Sequence, residues 1–211
     1  MPDVRALRQL PKRALLFELS LYRSLFRWGL RRPVADTPEE RPVGYSQLVA
    51  PVLWLWIFGS AVEVVVVHLL LPWDSLRTAA LVVGVWGLLW MVGLLASMRA
   101  YPHLVAPDYV RVRQGPRVDL RIPWADVESV TARRRELPSS IRAVQVQEAD
   151  GETDLHVAVS GETNVSMVLH RPLALPTPGG EVTADRVSLM VDDPKAFLAD
   201  VRQRLGAVTR R

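Results

Sequence analysis

Two long apolar runs separated by only Pro72-Trp73-Asp74-Ser75-Leu76-Arg77 constrain this chain of 211 residues more than any other feature. The first, from Leu48 to Leu71, reads LVAPVLWLWIFGSAVEVVVVHLLL; the second, from Thr78 to Met98, reads TAALVVGVWGLLWMVGLLASM. At about 1.5 Å of rise per residue, each is long enough as a helix to cross roughly 30 Å of hydrocarbon. A pair of buried helices in a soluble protein is the alternative, but so small a chain leaves too little protein to cover both. The runs are therefore read as a transmembrane hairpin over 45–100, with spans at 48–71 and 78–98. A cleaved signal peptide does not fit, because more than forty residues precede the first run and its apolar core is too long.

The short connection makes the two helices antiparallel neighbours. Pro72 stops the first, and Asp74 or Ser75 can cap the second. Charge sets the orientation. Nine basic residues (Arg5, Arg8, Lys12, Arg13, Arg23, Arg27, Arg31, Arg32 and Arg41) precede the first span, only Arg77 lies in the loop, and Arg99, Arg111, Arg113 and Arg117 follow the second. Cationic residues collect on the cytoplasmic side, so both termini of this multi-pass plasma-membrane protein are expected in the cytoplasm. Trp54, Trp56 and Trp73 lie toward span ends, where indoles favour the interface, and Gly84 and Gly87 offer a small-residue face for helix contact.

Glu63 and His68 interrupt the first span, and an ionisable group in a bilayer is a functional-site candidate because its cost must be offset. Counting back from the loop sets Glu63 level with Trp86, whose indole N–H can satisfy a carboxyl group. The bland reading is a Glu63 that fixes the hairpin or an oligomer contact; the sharper one is a residue lining an ion or proton path. His68 lies about one turn from the outer end and can reach interfacial water. His103 follows the second span on the opposite side of the membrane, so these two histidines cannot share a metal within one subunit. His156 and His170 fall in separate strands, and no ligand cluster or cofactor is expected. Cysteine is absent, which removes disulfides, cysteine-ligated zinc, iron–sulfur clusters and thiol nucleophiles together.

Before the hairpin, Val4 to Leu30 reads as a helix, broken near its start by Pro11, that mixes leucines and aromatics with Arg5, Arg8, Lys12, Arg13, Arg23 and Arg27. Such a segment suits a helix lying among lipid headgroups, and equally one packed on the protein's own domains. Residues 1–44 are thus assigned to a basic amphipathic juxtamembrane helix followed by a polar, proline-bearing linker. The formal net charge of +4 is accounted for by membrane topology before nucleic acid, because the basic residues are dispersed and lack interleaved stacking aromatics in the soluble part.

After Tyr101-Pro102-His103 the apolar period changes to two. YVRVRQ and RVDLRI form a first hairpin about Gly115-Pro116, and ESVTARR, RAVQVQ, DLHVAVS, NVSMVLH and RVSLMV are further strands, about seven in all. In DDPKAFLADVRQRL, Asp193 can cap a helix with Pro194 at its first position and Phe197, Leu198, Val201 and Leu205 on one stripe. The expected fold class is an α+β membrane protein: amphipathic helix, two-helix hairpin, and over 104–206 a β-barrel closed by one α-helix.

Val110-Arg111-Val112-Arg113-Gln114-Gly115, Ile122-Pro123-Trp124-Ala125-Asp126-Val127 and Asp192-Asp193-Pro194-Lys195-Ala196-Phe197-Leu198 carry a resemblance to bacterial pleckstrin-homology-like (PH-like) domains tethered after transmembrane helices in actinobacterial membrane proteins. The resemblance covers roughly the second half of the chain. The preference for arginine, with Lys12 and Lys195 the only lysines, accords with a GC-rich genome. The resemblance implies a binding or assembly module rather than an enzyme and identifies no ligand. Arg111, Arg113 and Arg117 then correspond to a hairpin whose basic residues can meet lipid phosphates; the plainer reading is a solvated face making nonspecific contact with anionic headgroups. No Walker loop, nucleophile elbow, dinucleotide fingerprint or HExxH is present, and no catalytic residue is assigned. The expectation is a non-enzymatic scaffold binding a protein partner, another copy of itself or lipid; the alternative is a small channel or transporter subunit with Glu63 in an oligomeric pathway.

Overall fold

The computed structural model describes residues 18–30, 35–138, 144–149 and 151–208. The chain divides into two compact units. One holds helix α1 (18–29), α2 (Ala50–Leu70) and α3 (Asp74–Ala100). The other joins residues 35–49 to those from 101 onward. The part of the expected leader helix before residue 18, including Pro11, lies outside the described residues.

In the helical unit, α2 and α3 form the expected antiparallel pair. Their 21 and 27 residues correspond to about 31 and 40 Å of helix. Both are long and apolar enough to cross a membrane, and only 6% and 17% of their most apolar stretches are buried by the protein itself. Gly84 is where they meet: a Cβ there would overlap a γ-methyl of Val64, whereas at Gly87 it would meet open space. Of the two expected contact glycines, one lets the helices approach. The C-terminal half of α3 buries a different stripe, Gly93, Ala96, Ser97 and Ala100. Leu21 of α1 lies on Gly93, and roughly two turns further along each helix the Trp28 ring receives the Arg99 guanidinium at 5.8 Å. Helix α1 therefore runs beside α3 in the same direction, its Leu21 and Ser24 buried. Small residues permit this approach, as they do between helices generally in lipid.

The second unit contains nine strands among the described residues, in two sheets, so the expected single barrel of about seven strands is corrected. The first sheet is an antiparallel run of β1 (Arg41–Val43), β2 (His103–Val105), β3 (Tyr109–Gln114) and β4 (Val118–Pro123). A 3₁₀ turn, Trp124–Asp126, leads to the second, whose strands are β5 (Val127–Glu136), β6 (Val144–Ala149), β7 (Glu152–Val157), β8 (Glu162–Thr177) and β9 (Gly180–Leu189) in the order β5-β8-β9-β7-β6. Pairing there is antiparallel except between β7 and β9. The sheets do not close: β4 and β5, consecutive in the chain, are not neighbours, and β5 and β6 are edges.

Alternation explains the core. Val110 and Val112 of β3, Val118, Leu120 and Ile122 of β4, and Val165, Met167 and Leu169 of β8 point inward with Trp124, whose indole N–H donates to the Ala106 carbonyl at 3.0 Å. Helix α4 (Pro194–Val208) lays Phe197, Leu198 and Val201 on this core, as the apolar stripe predicts. Its cap is also as expected, with the Asp193 carboxylate accepting the Ala196 N–H at 3.0 Å. Ser160 and Gly161, both at positive φ, make the two-residue turn between Val159 and β8.

The expected linker is corrected as well. Residues 41–43 form β1, and Tyr45 is buried, stacked on His103 at 4.9 Å and accepting the Gly115 N–H at 3.1 Å through its hydroxyl. The sheet unit is thus discontinuous in sequence, built from segments on both sides of the hairpin.

Candidate functional site

The outward face of β3 and β4 carries the densest set of charged side chains in the first sheet. Its register sets Arg111 directly opposite Arg121, and like charges so placed are unfavourable unless each finds another partner. Arg111 donates to both oxygens of Asp119, each at 2.6 Å, and also to Asp36. The Asp119 carboxylate, against the cost of burial and with help from Asp36, holds the Arg111 guanidinium above its ordinary pKa. Arg121 turns instead over the Tyr109 ring at 3.8 Å, a cation–π contact.

The segment before β1 straps this face. Glu40, itself buried, accepts the Tyr109 hydroxyl at 2.6 Å and the backbone N–H groups of Asp36 and Thr37 at 2.6 and 3.2 Å. Burial alone would raise the Glu40 pKa, but these three hydrogen bonds outweigh it and leave the group below its ordinary value.

Of the three arginines expected to meet phosphate, Arg111 is saturated by carboxylates and Arg113 is buried, its Nε donating to the Pro102 carbonyl at 2.8 Å. Only Arg117 is exposed. The exposed cation that sequence reasoning missed is Arg121, which has no carboxylate partner among the described residues. Arginines alternating with aliphatics on β3 mark a strand facing two environments; the pairing that engages them cannot be read from β3 alone.

Behind Arg113 lies a buried polar cluster. His103 accepts the Arg113 backbone N–H at Nδ1, at 3.0 Å, so its Nε2 carries the proton toward the Met190 carbonyl at 2.9 Å. Burial lowers the His103 pKa to about 4 and raises that of Tyr45 to about 12. The imidazole is a neutral brace between β3 and the end of β9.

A second charged set lies on the five-stranded sheet. Asp154, nearly buried, accepts Arg135 at 2.8 Å and Arg186 at 3.1 Å, and Arg186 continues to Glu152 at 3.0 Å. His156 is buried beside them, its pKa lowered by burial against the opposing pull of Asp154. A cavity of about 300 Å³ between β1 and the start of α4 is lined by Arg41, Asp192, Asp193 and Asp200, but its carboxylates are engaged internally: Asp192 with the Gln47 N–H, Asp193 with the helix cap and Asp200 with Arg204. Among the described residues no three His, Asp or Glu side chains converge as metal ligands.

In the helical unit, Glu63, His68 and Trp86 are all exposed. The Val64–Gly84 contact puts Glu63 and Trp86 at nearly the same level along the hairpin, but no hydrogen bond joins them, and Glu63 has no polar partner among the described residues. His170 is exposed on β8. No family model, curated protein or solved structure matches the chain.

Proposed function

We propose that the chain is a membrane-anchored, non-enzymatic binding protein: α2 and α3 cross the bilayer as a hairpin, and the sheet unit is held at the cytoplasmic surface to engage a protein partner or anionic lipid. The observation that carries this reading is the pairing of β1 with β2, in register from Arg41↔Val105 to Val43↔His103. These strands immediately flank the hairpin in sequence. A sheet that contains both requires the chain to leave and re-enter on one side of a membrane, which two crossings satisfy and one does not. The basic residues of both flanks then favour the cytoplasm. Binding at that surface is supported by Arg117 and Arg121, exposed on the first sheet, and this is the sense in which the PH-like resemblance is retained.

The test is native mass spectrometry of the full-length protein released gently from its own membranes. A retained protein or a selectively retained anionic lipid is the expected result, with lipid retention weakened by Arg117→Ala plus Arg121→Ala. A stoichiometric metal or cofactor would overturn the non-enzymatic reading. A second reading, in which Glu63 lines an oligomeric path, draws on the exposure of that carboxyl on the outer surface of a single hairpin, where contact with hydrocarbon is costly until another subunit covers it. Glu63→Gln separates the two: lost assembly fits a structural contact, and intact assembly with lost ion flux fits the path.

A further inference from the structure

Helix α1 uses two faces for two purposes. Leu21 and Ser24 are buried on the small-residue stripe of α3, and the hydroxyl of Ser24 is satisfied within its own helix by the Ser20 carbonyl at 2.6 Å. At 100° per residue the opposite side of the helix presents Leu19, Phe26 and Leu30, which are 56%, 64% and 52% exposed. Arg23 and Arg27 occupy the adjoining arc. Arg23 is exposed and forms no ion pair among the described residues.

We infer that this outward side of α1 is a lipid-contact surface beside the C-terminal half of α3, with Leu19, Phe26 and Leu30 against lipid and Arg23 reaching from the adjoining arc toward anionic headgroups. The inference rests on the membrane reading of α2 and α3. Two observations select lipid over a protein partner. The basic arc lies beside the apolar one along the axis, so the long arginine side chains can reach headgroups while the apolar side chains stay in lipid. Trp28 and Arg99 meet beside the C-terminal end of α3, and tryptophan and arginine are the side chains that anchor helix ends at an interface. The two readings of the leader that its composition left open are then one apiece for two faces.

The chain contains no cysteine, so single-cysteine variants can be labelled without a background. Leu19→Cys, Phe26→Cys, Arg23→Cys, Val83→Cys and Leu55→Cys, each carrying a nitrobenzoxadiazole fluorophore, would be reconstituted full length into phosphatidylcholine–phosphatidylglycerol vesicles and quenched by aqueous iodide or by lipids bearing a shallow doxyl group. Positions 55 and 83 report the hairpin, and lipid quenching there establishes the membrane reading separately. The expected result is lipid quenching at 19 and 26 comparable to that at 83, with iodide quenching greater at 23. Iodide quenching at 26 equal to that of free dye, or protection from both quenchers by a neighbouring protein, would overturn the inference while 55 and 83 still report lipid. Iodide access at all five positions would instead remove the membrane reading on which it stands.

Discussion

The helical unit and the sheet unit obey one rule with opposite results. In the sheet unit Val110, Leu120, Leu155, Met167 and Val187 are wholly buried, and the few buried charges, Glu40, Arg113 and Asp154, are each hydrogen-bonded. In the helical unit Leu55, Phe58, Leu69 and Leu70 are about as exposed as any side chain in the protein, and the buried positions of α3 are mostly small. Apolar surface removed from water stabilises a fold by roughly 25 cal/mol per Å², and the sheet unit obtains this from its own core. The helical unit obtains little from itself, because α2 and α3 leave most of their apolar surface uncovered, the surface that the proposed bilayer would cover. One sequence contains both solutions because the sheet is assembled from the two segments that flank the helices.

The strongest way to break this contrast is to remove the centre of the sheet core. Trp124→Ala opens a cavity and strands the Ala106 carbonyl; large-to-small substitutions of buried aromatics cost about 3–5 kcal/mol. Hydrogen-exchange mass spectrometry of the full chain in lipid nanodiscs should show β3, β4 and β8 losing protection while α2 and α3 keep theirs. If the helices lose protection in the same step, the two units are one cooperative body and the contrast fails.

Acid should act on the same unit. The folded pKa of His103, about 4, lies below its ordinary 6.5, so between those values the unfolded chain binds a proton that the folded chain refuses. Stability therefore rises with pH across that window and is lost as pH falls through it, by roughly 3 kcal/mol between neutrality and pH 4. His156 is shifted in the same direction and adds to the slope. Denaturant unfolding of the sheet unit at pH 7 and pH 4.5 measures the difference, and His103→Gln should flatten it. A wild-type slope unchanged by that substitution would assign the acid sensitivity elsewhere.

How much of this was legible in the sequence differs between the units for a physical reason. Two long apolar helices were expected at 48–71 and 78–98 and are α2 at 50–70 and α3 at 74–100, because a long apolar run is a local property of composition. Strand β3 was legible to the residue, since Tyr109–Gln114 alternates cleanly. Strands β1 and β2 were not: three residues carry no period, and Pro42 reads as a breaker although an edge strand tolerates it. The far half of β8 was missed because Arg171-Pro172 reads as a stop, whereas the strand passes it with a register shift between Val168 and Leu173. In the candidate site Arg111 was legible as a cation on a strand, but its neutralisation rests on the cross-strand reach of Asp119 and is completed by Asp36, far away in sequence. The parallel pairing of β7 with β9 likewise leaves no mark on either strand.

Within the helical unit, Gly84 and Gly87 offer a comparison of their own. Gly84→Leu forces the side chain into Val64 and should weaken the α2–α3 contact by about 2 kcal/mol, the usual scale of overpacking, whereas Gly87→Leu should be silent. Energy transfer between fluorophores attached to single cysteines near the middle of each helix would report the separation. An equal response at both glycines would mean that bulk, rather than the close approach at Val64, governs the pair.

The smallest expected effects come from the two aspartates that begin α4 and α3. Asp193 accepts a backbone N–H within the first turn of a helix that covers the core, and losing such a cap costs about 1 kcal/mol. Asp74 begins α3 but spends its exposed carboxylate on Arg77, three residues along, a pairing worth only a few tenths of a kcal/mol. Asp193→Ala should therefore lower the unfolding midpoint of the sheet unit, and Asp74→Ala should leave the protection of α3 unchanged at physiological salt. A cap matters where a helix end must be held against a core in water, and much less at a turn whose helices pack on each other further along their length. A marked loss of α3 protection in Asp74→Ala would show that the hairpin turn, and not the close contact at Gly84, sets the stability of the helical unit.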